Sequence, residues 1–147
     1  MKTFALVVFV LSLLATPAIA QQTGTIGHIR ELSGIATILR QGVTLPAAVG
    51  AALRRDDLIQ TNKPGAVGIV LIDDTTISLG SNSEISLKDY DFSPKEGKFS
   101  LVMRMIKGTF VYVSGRIGKL APDSIQLSIP DATIAVRGTK LLVEIQE

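Results

Sequence analysis

The chain contains no cysteine and no tryptophan, and His28 is its one histidine. Without cysteine there can be no disulfide, no thiolate metal site, no thiol nucleophile and no lipid attachment point next to a leader sequence. A single histidine also cannot supply the histidine clusters that many metal sites use. We therefore expect a domain that is stabilised by burial alone and that carries no cofactor and no metal.

Charge of one sign is not concentrated anywhere along the chain. The sequence has 15 Lys and Arg against 13 Asp and Glu, which gives a formal net charge of +2. Nucleic-acid binders usually carry a basic stripe, often with aromatic side chains between the cations for stacking on bases. Because neither feature is present, we expect no nucleic-acid partner.

The first twenty residues differ in composition from the rest and have the pattern of a secretory signal. Lys2 precedes an apolar run from Phe4 to Leu14, and Ala18-Ile19-Ala20 is a small-x-small cleavage pattern. The run is shorter than the roughly 20 apolar residues that span a bilayer. The sequence therefore predicts a signal peptide over residues 1–20, cleavage after Ala20, and a soluble periplasmic domain over residues 21–147 without membrane insertion.

Short segments with alternating apolar and polar residues dominate the mature chain, and they predict an all-β fold. In Ser124 to Ile129 every second residue is apolar, which places one face on a core and the other in water. Two segments, Ala66 to Ile72 and Leu101 to Ile106, are apolar on nearly both faces and are expected to be the most buried strands. The pattern predicts about eleven short strands: Thr25–Arg30, Gly34–Arg40, Asp57–Gln60, Ala66–Ile72, Thr75–Leu79, Glu84–Lys88, Leu101–Ile106, Thr109–Val113, Ser124–Ile129, Ala132–Val136 and Lys140–Gln146.

Gly, Pro, Asn and Asp residues mark the predicted boundaries between these strands. Turns are expected at residues 62–65, 73–74, 80–83 and 107–108, and loops at Lys88–Lys98 and Val113–Asp123. Helix is plausible only over Pro46 to Arg54, where alanine is frequent. Periodicity alone leaves a twisted solenoid-like stack, a sandwich and a barrel open.

Few side chains are candidates for chemistry. His28 lies near the expected mature N-terminus, where chains tend to fray, and no partners for a catalytic triad are evident. The acidic sets Asp56-Asp57, Asp73-Asp74 and Asp89 with Asp91 are interpreted as turn formers, because neighbouring residues on a strand point to opposite faces and cannot readily flank one bond. A calcium site would draw on Asp73, Asp74, Asn82 and Glu84, but these residues lack the regular spacing of a calcium loop.

Two motifs stand out in the sequence. Asp57-Leu58-Ile59-Gln60-Thr61 begins one predicted strand, and Ile129 to Thr139 has a Pro, an Ala and then Val-Arg-Gly-Thr before the last predicted strand. The first is similar to the Gly-Asp-x-hydrophobic-x-Thr segment, and the second to the closing signature, of the FecR family of bacterial periplasmic domains. The resemblance extends over Gly27 to Arg40, Leu53 to Leu79 and Ile129 to Val143. The residues that match these motifs are Asp57, Thr61, Pro130, Ala132, Val136, Arg137, Gly138 and Thr139.

This sequence departs from the family pattern at two turns. Asp56 stands where glycine usually precedes the motif aspartate, and Asp74 stands where an Asp-Gly hairpin is usual. Aspartate tolerates left-handed backbone conformations better than most residues, so both positions remain compatible with such turns. We expect the motif residues to be structural: Gly138 at a sharp reversal with positive φ, and Arg137 on turn carbonyls rather than on a ligand.

The resemblance implies an all-β domain with a twisted, solenoid-like stack of strands. The best-known members lie outside the inner membrane, relay occupancy of an outer-membrane iron-chelate receptor, and are tethered to a cytoplasmic sigma-factor regulator. Because this sequence shows neither a cytoplasmic segment nor a membrane helix after the signal, we expect only part of that role to carry over.

A non-catalytic module that binds another envelope protein, in signalling or assembly, is the first hypothesis. A module for an envelope glycan or small ligand is the alternative, and an envelope hydrolase is a third. The absence of tryptophan weakens the glycan hypothesis, since sugars commonly stack on aromatic rings. The sequence does not predict the partner or the oligomeric state.

Overall fold

A computed structural model of the chain describes residues 24–134, 136 and 140–146. The predicted signal peptide and the motif residues Arg137, Gly138 and Thr139 lie outside the described residues. The described part is all-β, as the sequence predicts, and its strands form one ten-stranded sheet. The strands are β1 (Thr25–Arg40), β2 (Val43–Pro46), β3 (Ala52–Arg54), β4 (Leu58–Leu71), β5 (Thr76–Leu79), β6 (Glu84–Ser93), β7 (Lys98–Val113), β8 (Ile125–Ile129), β9 (Ala132–Ile134) and β10 (Lys140–Ile145).

Three long strands, β1, β4 and β7, each contribute to two half-sheets. The first half-sheet has the order β3, β1, β4, β5, β7, β10 and uses the start of β1 and the ends of β4 and β7. The second has the order β2, β1, β4, β6, β7, β8, β9 and uses the other parts of the long strands. All of these pairs are antiparallel except β7 with β8, which distinguishes the fold from a solenoid of parallel coils.

Glycines permit the changes of direction in the long strands. Gly34 in β1 has a φ of +70°, and a Cβ there would collide with the carbonyl oxygen of Pro64. Gly108 in β7 has a φ of +99°, and a Cβ there would collide with Ser83. The predicted turns at residues 62–65 and 107–108 are therefore wrong as chain reversals, because both segments are irregularities inside continuous strands. This is why several predicted short strands are merged into longer ones.

The inward side chains of both half-sheets form one hydrophobic core, which includes Ile29, Ile59, Ile69, Met105 and Phe110. Ile125 and Leu127 of β8 are buried while Gln126 is exposed, as the alternation predicts. The two strongly apolar segments also alternate: Val67, Ile69 and Leu71 are buried, whereas Ile72 is exposed. Gly68 and Val70, which lie between them, are half-buried, so this segment is buried mainly on one face.

Helix occurs at a different place from the one that composition suggests. β2 ends at Pro46 and β3 begins at Ala52, and between them the amides of Ala47 and Gly50 donate to carbonyl oxygens of β1. The helix α1 (Arg116–Leu120) instead lies in the predicted loop after β7. It belongs to the crossover that the parallel pairing of β7 and β8 requires.

The predicted loop Lys88–Lys98 is also shorter than expected, because β6 continues to Ser93 and a single 3₁₀ turn, Pro94–Glu96, precedes β7. Within the described residues, no helix has the length and apolar character needed to cross a bilayer.

Candidate functional site

Two acidic dipeptides lie at turns beside β4, and in each one aspartate is buried and the other exposed. Asp57 and Asp73 are fully buried, whereas Asp56 and Asp74 face solvent. The exposed members have φ values of 66° and 69°, in the left-handed region. The opposite orientation of neighbouring acids is therefore confirmed, and Asp56 and Asp74 adopt the glycine-like conformation that their positions in the family pattern suggest.

Asp57 is held by a cation. Arg40 Nε donates to Asp57 Oδ1 at 2.8 Å and Arg40 Nη2 donates to Oδ2 at 2.7 Å, which is the two-pronged geometry that guanidinium and carboxylate favour. The Arg54 amide donates to Oδ2 at 2.8 Å, and Arg40 Nη2 also reaches the Ala52 carbonyl at 2.9 Å. The hydrogen bond to Asp57 is the main cause that raises the pKa of Arg40. This ion pair fastens β3 and the following turn to β1.

Asp73 is held by neutral donors. The Tyr90 hydroxyl donates to Asp73 Oδ1 at 2.8 Å, and the Thr75 hydroxyl donates to Oδ2 at 2.7 Å. The amide of Thr75 donates to Oδ1 at 3.3 Å and that of Ile117 donates to Oδ2 at 3.0 Å. No Lys or Arg of the described residues forms a salt bridge with it. The carboxylate thereby joins the β4–β5 turn to β6 and to the beginning of α1.

The two tyrosines differ in how their buried hydroxyl groups are satisfied. Burial raises the pKa of Tyr90 well above its usual value of 10, and the bond to Asp73 adds to that rise. Burial likewise raises the pKa of Tyr112. The Tyr112 hydroxyl, however, makes no hydrogen bond of acceptable geometry with the residues described, although Ser114 lies close enough to oppose the rise in its pKa. Neither ring is available at the surface, since Tyr90 is 2% exposed and Tyr112 0%.

Thr61 connects β4 to the turn between β5 and β6. Its hydroxyl donates to the Gly80 carbonyl at 2.7 Å and accepts from the Ser83 amide at 2.9 Å. Asp57 and Thr61 are thus both buried, and the bonds of both are internal. Of the remaining motif residues that are described, Pro130 lies in the β8–β9 turn, Ala132 is exposed at the start of β9, and Val136 packs against the core.

The other candidates do not come together as a site. His28 is exposed on β1 between Ala52 of β3 and Val70 of β4, so it is held in the sheet and the expectation of a frayed segment is wrong. Asp89 and Asp91 lie in strand β6 rather than in a loop. Across the described residues no three His, Asp or Glu side chains are grouped as a metal site would need.

Three of the six exposed large aliphatic side chains among the described residues lie on β1 or on the segment that borders its outer edge. Ile35 is 63% exposed, Val43 58% and Val49 65%. Gln41 and Gly42, both with positive φ, form a two-residue turn that places Val43 beside Arg40 at the start of β2. We call Ile35, Val43 and Val49 the β2-edge surface.

A polar row crosses the outer face of the second half-sheet. Ser86, Arg104, Ser128 and Thr133 are successive cross-strand partners on β6, β7, β8 and β9. Ser86 is buried, whereas Arg104 and Thr133 are exposed. Open depressions of about 330 and 560 Å³ lie on the two sides of Arg104, and Asp56 and Lys88 line the smaller one. Such a face can bind polar groups, but it offers no aromatic platform.

The partners of the two buried aspartates could not be found by sequence reasoning. Arg40 is 17 residues from Asp57, and Tyr90 is 17 residues from Asp73, so each contact depends on strand pairing between distant segments. The sequence offers one signal for these contacts: Arg40 is a lone arginine at the end of a segment in which apolar and polar residues alternate.

The FecR family model, described as FecR protein, matches residues 57–147. Its match begins at the buried Asp57 and includes Thr61, the Asp73 network and β10. No curated protein and no solved structure shows significant similarity to the chain. Since the family model covers more than half of the chain, the protein belongs to the FecR family.

Proposed function

We propose that this protein is a non-catalytic interaction module of the bacterial cell envelope, which binds another envelope protein in signalling or assembly. The observation that carries the proposal is the β2-edge surface. Three large aliphatic side chains along this edge are more than half exposed, and exposed apolar surface is a common feature of protein-binding sites. Membership of the FecR family is consistent with this role.

The internal use of the polar groups supports a binding role over a catalytic one. The buried carboxylates of Asp57 and Asp73 accept three and four hydrogen bonds from within the domain. The exposed His28 has Ala52 and Val70 as its neighbours across the strands. A general base needs to reach a substrate proton, and a nucleophile needs such a base beside it. These observations support the proposal that the domain acts through its surface.

Glycan binding receives less support than protein binding. Both tyrosines are buried, and the rings of Phe92 and Phe99 are partly covered, with Arg116 placed 4.8 Å above the Phe92 ring. The polar row around Arg104 remains the best location for a small polar ligand. Replacement of Arg104 by Gln should abolish any stabilisation by such a ligand in a thermal-shift screen.

The partner can be tested with two matched variants. Wild-type protein immobilised on resin should capture an envelope protein that is then purified and titrated against it. A Val43→Asp/Val49→Asp variant should bind that protein at least about tenfold more weakly, because charges replace buried apolar contacts. Leu120→Asp, at an exposed position on α1, is the control and should bind normally. Equal affinity of all three proteins would refute the β2-edge surface as the binding site.

The envelope location is part of the same proposal and has its own test. Intact-mass measurement of the protein recovered from a bacterial host should give a chain that begins at Gln21. Recovery of a cytoplasmic chain that still carries Met1 would contradict export.

A further inference from the structure

Strand β10 forms an open edge of the first half-sheet, at the opposite end from β3. It pairs with β7 from Lys140 opposite Val113 to Ile145 opposite Gly108, without a register shift. On its other side it has no strand partner among the residues that the structure describes. Within the described part of the chain, no other backbone group pairs with its amides and carbonyls on that side, which can therefore accept another strand.

The other outer strands are protected in ways that β10 is not. β2 has four residues and ends at Pro46, and β3 and β9 have three residues each. Natural proteins use short length, proline, bulges and inward charges to block pairing at sheet edges. β10 has six residues, an even register, and no charge on its inward side.

The side chains of β10 alternate strictly between core and solvent. Val143 is buried, and Leu141 and Ile145 pack against the core. Lys140, Leu142 and Glu144 point outward, and Leu142 is 67% exposed. The outward side chains of β10 are therefore a cation (Lys140), a leucine (Leu142) and an anion (Glu144), in that order along the strand.

That row is complementary to itself when two copies run antiparallel. If Leu142 faces Leu142 of a second copy, then Lys140 faces Glu144 of the other chain at both ends. Directly opposite residues lie on the same face of a sheet, where opposite charges attract and aliphatic pairs pack. From this complementarity we propose that β10 pairs with β10 of a second copy, which joins two domains into one continuous sheet.

The neighbouring strand extends the apolar part of this contact. Val111 of β7 lies directly across from Leu142 and is half-buried. In the pair of domains, Val111 and Leu142 of both copies form a continuous aliphatic strip on the outer face. On the inner face Leu141 lies opposite Val143 of the second copy. The same patch serves both copies, as a closed two-fold interface requires.

The contact is small, and this sets its expected strength. One strand pair buries less than the roughly 1,200 Å² of a stable interface, so the dimer should be weak and should depend on concentration. Sedimentation equilibrium of the purified protein up to about 1 mM should show a monomer–dimer equilibrium, since affinities of this order belong to small interfaces. A monomer over that whole range would overturn the proposal.

Charge reversal tests the pairing register. Lys140→Glu or Glu144→Lys places like charges opposite each other at both ends and should weaken the dimer about tenfold or more. The double variant Lys140→Glu/Glu144→Lys restores both attractive pairs and should restore the dimer. Lys119→Glu, an exposed charge on α1, is the control and should leave association unchanged. Failure of the double variant to recover would refute this register.

The absence of cysteine allows a direct chemical test of the two-fold axis. Leu142→Cys introduces the one thiol of the chain, and two opposite residues of an antiparallel pair are close enough for a disulfide. Mild oxidation should convert this variant to a covalent dimer. Leu120→Cys, at another exposed leucine, should remain largely monomeric, and equal cross-linking of the two variants would contradict the proposal.

Discussion

Asp57 and Asp73 are both fully buried beside β4, yet different groups compensate their burial. Asp57 is paired with Arg40, whose side chain retains 20% exposure. Asp73 receives its hydrogen bonds from two hydroxyl groups and two amides, which come from the adjacent turn, β6 and α1. Water can reach Asp57 if Arg40 is removed, whereas Asp73 is enclosed by the groups that donate to it. We therefore expect substitutions in the Asp73 network to lower the free energy of unfolding more than substitutions in the Arg40–Asp57 pair.

The largest effect is expected at Asp73. Replacement by Ala leaves two buried hydroxyls and two buried amides without an acceptor, and each such group costs about 1–3 kcal/mol. We expect a loss of more than about 3 kcal/mol in the free energy of unfolding, measured by urea denaturation. Asp73→Asn keeps one acceptor oxygen and should lose less. If both variants were as stable as the wild type, the network would have no structural role.

A smaller effect is expected at Arg40. Breaking a buried ion pair costs about 3–5 kcal/mol, but the exposed fraction of Arg40 lets water reach Asp57, so about 1–3 kcal/mol is expected for Arg40→Ala. Arg40→Lys keeps the charge but loses the two-pronged geometry. Its free energy of unfolding should therefore lie between that of the wild type and that of Arg40→Ala. The comparison between the sites would fail if Arg40→Ala were more destabilising than Asp73→Ala.

The two tyrosines provide a matched pair within the same comparison. Tyr90→Phe removes a hydrogen bond to a charged group and should cost about 1.5–3 kcal/mol. Tyr112→Phe removes a buried hydroxyl that makes no hydrogen bond of acceptable geometry with the described residues, and should be close to neutral. Thermal melts of the two variants at neutral pH measure this difference directly. Equal losses would mean that the bond to Asp73 contributes nothing beyond packing.

Alkaline pH tests the same hydroxyl groups in the wild type. Burial raises the pKa of Tyr90 above its usual value of 10, so above that pH the unfolded chain loses this proton while the folded chain keeps it. The stability contributed by the neutral hydroxyl is therefore complete below pH 10 and declines as the pH rises further. The decline should be shallower in Tyr90→Phe, as urea titrations between pH 9 and about 11 would reveal. Parallel curves for the two proteins would contradict the raised pKa.

The all-β class can be predicted from the sequence because alternation is a local signal, as the buried Ile125 and Leu127 show. The long strands cannot be predicted in this way, since the Pro and Gly residues at positions 64, 65 and 108 are as typical of turns as of bends. Strand β2 has only four residues, which are too few to show a period. The Arg40–Asp57 and Tyr90–Asp73 contacts depend on pairing across the fold, which no short segment encodes.

The smallest expected effect, at Asp56 and Asp74, concerns the exposed partners of the two buried acids. Both have left-handed backbone conformations, in which glycine has no steric penalty and aspartate has a modest one. Asp56→Gly and Asp74→Gly should each raise stability by up to about 1 kcal/mol, after allowing for the greater freedom that glycine gives the unfolded chain. Alanine at either position should be less stable than aspartate, because it is strained at positive φ and cannot bond locally.

The same series of substitutions at Asp89, in the extended strand β6, provides the control, and there the glycine variant should be the least stable. An identical order of stability at Asp56, Asp74 and Asp89 would show that the left-handed turns do not favour glycine. The order expected here would instead explain why the family pattern has glycine where this chain has Asp56 and Asp74.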